Sequence, residues 1–285
     1  MSADRPRIVL SGIYGRMGQA LAPLLLEDPR VELVGGLYAP HQEGDDNPFR
    51  ASLEARGVEL DSSPIALLNL IDGADLLLDF SNREGIRSNL ESALHKGLNA
   101  LVGVTGFDAE EQRWLQELAT QTGRTIWWVP NFSLGMALMN RMAVLARRYL
   151  GAVEILELHH DRKLDAPSGS ARHTAQLLAE TGAAEGAAGY TPPVVEESSP
   201  SVTSARFAES RGMAVEGIPI HSVRLPGLLA HQQIMFGGTG ETLTIRHDTL
   251  DRSAFVEGVI RAALYLPHLR GFHQGIELLL EDRGN

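Results

Sequence analysis

Apolar and polar positions along the first half of this chain alternate between two periods. Short apolar runs at Ile8–Ser11, Val31–Leu37, Asp75–Ser81, Asn99–Val102 and Thr125–Val129 have the length of buried strands. Between them lie segments whose apolar residues recur three and four apart, the helical period. These predict helices from the glycine-rich turn at residue 12 to about Glu27, from Asn82 to Lys96 with Gly97 as the stop, and from Asp108 to Thr122. Residues 42–56 are polar and rich in turn formers, and read as a surface loop leading to a short helix. A regular strand-helix alternation from Ile8 to Val129 predicts a doubly wound parallel sheet. Such sheets bind ligands beyond the carboxyl ends of their strands. Asp79-Phe80-Ser81, Gly103-Val104-Thr105 and Asn131-Phe132 fall at those ends.

The second half changes character. Leu134–Leu150 predicts a long helix, and the domain boundary falls near its start. Val153–Leu158, continuing to His160, reads as a strand, followed by a helix over Ala171–Glu180 with Ser168 or Ser170 as N-cap and Gly182 as stop. Thr181–Glu209 is rich in Ala, Gly, Pro, Ser and Glu and reads as a loop or flap. Ile218–Leu225, Gln232–Phe236 and Glu241–His247 read as three more strands, the first two joined through Pro226-Gly227. The expected fold class is α/β: an N-terminal Rossmann doubly wound parallel sheet, and a second α+β domain on a mixed, mostly antiparallel sheet. Ser253–Leu266 predicts an apolar-faced helix that returns to the first domain. The expected domains are 1–132 plus 253–285 for dinucleotide binding and 133–252 for substrate binding and oligomerisation.

Chemistry enters at two places. After the first strand stands Gly12-Ile13-Tyr14-Gly15-Arg16-Met17-Gly18, then a helix, then a second strand. Glycines there let the backbone approach a pyrophosphate at the helix N-terminus. The spacing is G-x-x-G-x-x-G, and the second strand ends in Tyr38 rather than in the acidic residue that would bind an adenosine ribose. Glu32 has about the right count but lies inside the strand, while Tyr38 can stack or hydrogen-bond and Arg16 or His41 can face a 2′-phosphate. NADH and NADPH both remain open.

The other place is the run from His159 to Ala171, HHDRKLDAPSGSA. A strand here delivers imidazoles and an ammonium to the mouth of a helix, where free amides and the dipole favour an anion. Several cations this close, without adjacent partners, imply a visiting anion. The expected occupant is a carboxylate-bearing small molecule. Adjacent histidines on a strand point to opposite faces, which argues against a shared metal ion.

Composition narrows the classes. A net charge of −11 argues against a nucleic-acid surface, and the absence of Cys excludes disulfides and thiolate catalysis. No signal-peptide hydrophobic region and no membrane-length apolar run occur, so the expectation is a cytoplasmic protein with no nucleic-acid or membrane partner.

Taken together these residues resemble the 4-hydroxy-tetrahydrodipicolinate (dihydrodipicolinate) reductase family over essentially the whole chain. The carrying motifs are His159–Ala171, Gly15-Arg16-Met17-Gly18, Asp79-Phe80-Ser81, Gly103–Phe107 and Asn131-Phe132-Ser133. The resemblance implies reduction of a cyclic dicarboxylate with NADH or NADPH and loss of water, in lysine and diaminopimelate biosynthesis, by a homotetramer. It implies His159 as proton donor and acceptor, Lys163 as a second proton donor, and His160, Gly169 and Ser170 as substrate ligands. It implies a cofactor lining of Gly12, Ile13, Tyr14, Gly15, Arg16 and Met17, of Gly103, Val104 and Thr105, and of Val129, Pro130, Asn131 and Phe132. Ser170 stands where Thr is commoner in the family, Tyr38 where an acidic residue is frequent, and Leu225–Gln232 matches one branch of it. Another two-domain NAD(P)-dependent oxidoreductase, or a non-catalytic nucleotide-binding paralogue, is the alternative.

Overall fold

The computed structural model describes residues 5–42, 48–70, 73–182 and 211–280. The expected flap therefore lies, from residue 183 onward, outside the described residues. The chain divides into two compact units, Met1–Leu134 with Arg252–Asn285, and Gly135–Asp251.

The first unit is a seven-stranded sheet built from β1 (Arg7–Ser11), β2 (Glu32–Leu37), β3 (Glu59–Asp61), β4 (Leu76–Asp79), β5 (Asn99–Val102), β6 (Ile126–Trp128) and β12 (Phe272–Gln274). All its pairings are parallel, in the spatial order β12-β6-β5-β4-β1-β2-β3. This is the Rossmann order, with the reversal between β1 and β4. The helices are α1 (Arg16–Glu27), α2 (Pro48–Glu54), α3 (Pro64–Leu70), α4 (Ile86–His95) and α5 (Ala109–Thr122). The central strands are apolar on both faces because helices cover both: Ile8, Val9, Leu10 and Leu78 have no exposed surface. Helix α5 starts at a capping box, Asp108 accepting from the Glu111 amide while Glu111 accepts from that of Asp108, and it stops at Gly123 in the left-handed region.

Three short elements here escape the periodicity argument. Helix α2 forms inside the predicted loop, β3 follows it ahead of the expected short helix α3, and β12 adds an edge strand beyond β6 from the end of the chain. Phe272-His273-Gln274 is half-exposed and carries one apolar residue, so no alternation marks it. The predicted C-terminal helix is present as α8 (Val256–Tyr265), flanked by 3-10 turns at Arg252–Phe255 and Leu266–His268.

The second unit holds α6 (Leu134–Arg147), β7 (Ala152–His159), α7 (Gly169–Thr181), β8 (Met213–Val215), β9 (Ile218–Arg224), β10 (Ala230–Gly238) and β11 (Glu241–Thr249). Their sheet order is β11-β10-β7-β9-β8, with only β7 and β9 parallel. Residues on β7 alternate in burial, so Val153, Ile155, Glu157 and His159 share the inward face. Helix α7 is pinned to that sheet through Thr174, whose hydroxyl lies 2.9 Å from Asn140 Oδ1 on α6 and accepts from Gln232 Nε2 on β10 at 2.8 Å.

Candidate active site

The glycine turn follows β1 at the strand-order reversal. Gly12 has φ +77°, and a Cβ there would sit 2.5 Å from the Phe80 carbonyl oxygen. A Cβ at Gly18 would meet the carbonyl oxygens of Gly12 and Ile13 at 2.3 and 2.4 Å, so the third glycine lets α1 close onto the turn. Helix α1 opens at Gly15 with no capping side chain and no acidic residue in its first turn. Its amides and positive dipole end therefore stay available to an anion.

A cavity of about 640 Å³ opens beside that helix mouth. Gly15, Arg16, Met17, Gly103, Val104, Thr105, Pro130, Asn131 and Phe132 line it, as the resemblance implies. Gly12, Ile13, Tyr14 and Val129 do not. Ile13 and Val129 are wholly buried, and the amides of Gly12 and Ile13 donate to the Leu37 carbonyl. Phe80, Ser81, Asn82, Arg83 and Phe255 join the lining. The first four follow β4, a position the strand-end rule already marks; Phe255 comes from the chain's return and has no local signal. Arg83 fixes the neighbouring loop by donating to the Gly106 carbonyl and pairing with Glu111. The end of β2 is aromatic. Tyr38 stacks on Tyr14 with centroids 5.2 Å apart, and the Arg50 guanidinium lies 5.5 Å from the Tyr38 ring centre. Glu32 sits beside Arg5 and Arg7 at the opposite end of β2 from the glycine turn.

These features fit a nicotinamide dinucleotide: an uncapped helix mouth for the diphosphate, a glycine-floored cavity, and aromatic side chains at the end of β2. Gly15, Arg16 and Met17 would hold the diphosphate, and Gly103, Thr105 and Asn131 would hold the remainder.

In the second unit, His159 is nearly buried at the end of β7, its Nδ1 2.5 Å from Oε2 of Glu157. Glu157 is fully buried and also receives both Nη atoms of Arg224, at 2.8 and 3.0 Å, and the Ser168 amide at 3.3 Å. Burial pushes its carboxyl up, but hydrogen bonds from His159, Arg224 and Ser222 outweigh that and hold it at about 2. Lys163 Nζ lies 2.8 Å from Asp165 Oδ1. Burial raises the Asp165 carboxyl, and the hydrogen bond and charge of Lys163, followed by the Gly169 amide, bring it below its ordinary range.

The expectation of several cations without adjacent partners is thus corrected: Glu157 and Asp165 supply a carboxylate to His159 and to Lys163. Alternation along β7 puts Glu157 on the buried face with His159, a placement that strand parity carries without marking it as functional. His160 lies past the strand, and its Nδ1 is buried with no hydrogen-bond partner among the described residues. Ser168 caps α7 by accepting from the Ala171 amide, which leaves the Ser170 amide for an incoming acceptor. A Cβ at Gly169 would meet nothing within 4 Å, so the space over the helix mouth is open. Among the described residues no group of His, Cys, Asp and Glu could hold a metal ion, and no helix is long and apolar enough to cross a membrane.

A Rossmann sheet with an open glycine turn, in a chain whose second sheet presents a carboxylate-anchored imidazole, defines an NAD(P)H-dependent oxidoreductase of two units. Residues 6–132 match the family model for the N-terminus of dihydrodipicolinate reductase, and residues 133–279 match that for its C-terminus. The chain is 39% identical over 280 residues to the 4-hydroxy-tetrahydrodipicolinate reductase of Geobacillus thermodenitrificans, covering 96% of this chain and 99% of that one. It is 35% identical over 281 residues to that of Nostoc punctiforme, with 96% and 97% covered. A dipicolinate-bound dihydrodipicolinate reductase from Paenisporosarcina sp. TG-14 superposes with a TM-score of 0.73 at 33% identity, covering 96% of this chain and 98% of that one. The chain belongs to the dihydrodipicolinate reductase family.

Proposed function

We propose that this chain reduces 4-hydroxy-tetrahydrodipicolinate to tetrahydrodipicolinate with NAD(P)H and loss of water, as a step of lysine and diaminopimelate biosynthesis. The observation that carries the residue assignment is the His159–Glu157 contact beside the open mouth of α7. Residues 1–132 with 253–285 bind the dinucleotide, and 133–252 bind the substrate and assemble a cytoplasmic homotetramer.

When bound, the dinucleotide would supply a hydride to the substrate ring. The protein must grip two carboxylates and move protons. The Ser170 amide and hydroxyl, with the Gly169 amide once it exchanges Asp165 for substrate, hold one carboxylate at the positive end of α7. His160, whose carbonyl accepts from the Lys163 amide on the same turn, binds the other. Because the ionised Glu157 only accepts, His159 Nδ1 carries a hydrogen and Nε2 is the atom that gives up or takes the proton. Lys163, exchanging Asp165 for substrate, is the second donor.

His159→Gln should lower kcat on the order of 10²-fold or more while leaving KM within a factor of about two. An unchanged kcat removes His159 from proton transfer. Pure protein that binds the dinucleotide but never turns over the dicarboxylate would instead be a nucleotide-binding paralogue.

For the cofactor, we propose a preference for NADPH. Among the described residues β2 itself ends without a carboxylate to bind a ribose 2′-hydroxyl, and Arg50 lies over Tyr38 instead. Side-by-side KM values test this, with NADPH expected lower; Arg50→Ala should raise KM for NADPH on the order of tenfold and leave that for NADH unchanged. Equal values in the parent enzyme overturn the preference.

A further inference from the structure

We infer that Glu157, clamped by Arg224, is the positioning residue of the reaction: it fixes the tautomer and the orientation of His159. This rests on the reading that His159 delivers the proton.

The strand pattern gives the first reason. Val153 and Ile155 precede Glu157 on the same inward face of β7, where an apolar residue would pack without desolvating a charge. A carboxylate at zero exposure is retained there only with its partners, and the partners are informative. Arg224 is the register neighbour of His159 on the adjacent parallel strand and reaches both carboxylate oxygens. With two of its hydrogen-bonding directions fixed by one planar guanidinium, the carboxylate cannot rotate away from the imidazole. His159 Nδ1 lies 2.5 Å from the Oε2 oxygen that Arg224 also holds.

The second reason is reach. Arg224 Nη2 also donates to the Asp165 carbonyl at 2.7 Å, on the loop that carries Lys163. The Ser168 amide, at the N-cap of α7, points to the other Glu157 oxygen. One buried ion pair thus joins the imidazole, the lysine loop and the helix mouth. Glu157 on its own strand and Arg224 on β9 are the charged residues set against His159, and β10 places Ala230 opposite it.

The test uses the full-length enzyme and its Glu157→Gln and Arg224→Lys variants. For Glu157→Gln, kcat should fall on the order of 10–100-fold with KM for both substrates within a factor of about two. Imidazole 15N NMR should show the Nδ1–H tautomer in the parent enzyme and a mixture in the variant. Arg224→Lys keeps a cation but loses the fork, and should give a smaller kcat loss in the same direction. A folded Glu157→Gln enzyme with unchanged kcat and 15N pattern overturns the inference. Should that variant fail to fold, an Nε2–H tautomer in the parent enzyme overturns it alone. His159→Gln separates the two claims: unchanged turnover there defeats the proton-transfer reading, while the parent's 15N pattern still reports on Glu157.

Discussion

Phe80 lies against Gly103, so close that a Cβ on the glycine would meet ring carbons at 2.2 to 2.8 Å. Both residues line the cavity beside α1, and Phe80 packs on Phe132 with centroids 5.4 Å apart. Gly103→Ala therefore requires the Phe80 ring to shift, and the cavity that ring lines is the open space beside it. The strain is about 1–3 kcal/mol, and it falls on dinucleotide binding more than on folding. Fluorescence titration should show weaker NADPH binding with Tm nearly unchanged; a normal Kd would mean that the ring has another escape.

Acid stability should report Glu157. Its carboxyl sits at about 2 against an ordinary 4.5, so the stabilisation is fully present above pH 4.5 and is lost as pH falls from there through about 2. For a group at zero exposure the linked term is on the order of 3 kcal/mol. Urea midpoints of the parent and of Glu157→Gln should be well separated at neutral pH and should converge as pH falls from 4.5 towards 2. A constant gap would show that packing, not charge, accounts for the difference.

Asp79 gives the opposite sign. It is fully buried at the end of β4, accepting from the Ser81 amide and hydroxyl and from Asn89 Nδ2. Burial raises its carboxyl, and hydrogen bonds from Ser81, Asn89 and Ser11 only partly oppose this. A raised value means that stability is present at low pH and lost as pH rises through the folded value. The neutral isostere Asp79→Asn cannot lose it. The advantage of the parent over Asp79→Asn should shrink as pH rises, read as Tm in steps from mildly acidic to mildly alkaline buffer. An advantage that grows would mean an ionised Asp79.

Repeating patterns are legible in this sequence, and contacts that repeat nothing are not. Strand β1, its glycine turn and α1 can be read directly because close backbone approach demands glycine at positions 12 and 18, as the 2.3–2.5 Å clashes confirm. The burial parity of β7 is equally legible, yet within it Glu157 reads as one more strand residue. Its partner Arg224 lies 67 residues away, and no local rule joins them. Strands β3, β8 and β12 are three residues each, too short for any period to appear. Asp165 stands two residues from Lys163, but a pairing within a loop has no period and needs coordinates to show it.

Thr174 is the last point of leverage. Its hydroxyl, shared as donor between Asn140 Oδ1 on α6 and the Ser170 carbonyl, accepts from Gln232 on β10, and Thr174, Asn140 and Gln232 are all buried. Thr174→Val keeps the shape and removes the bridge. It strands an Asn140 oxygen and a Gln232 amide away from water, at about 1–3 kcal/mol for each unsatisfied group. Gln232 Oε1 already lacks a partner among the described residues, so that side chain has no second bond to fall back on. The same change loosens the first turns of α7, where the proposed substrate-carboxylate site at Gly169 and Ser170 lies. Urea unfolding should show a loss of about 3 kcal/mol, and KM for the dicarboxylate should rise while KM for NADPH stays put. Adding Asn140→Leu should cost less in the Thr174→Val background than in the parent, since its partner is already gone. Strict additivity would mean that the bridge contributes nothing to seating the helix.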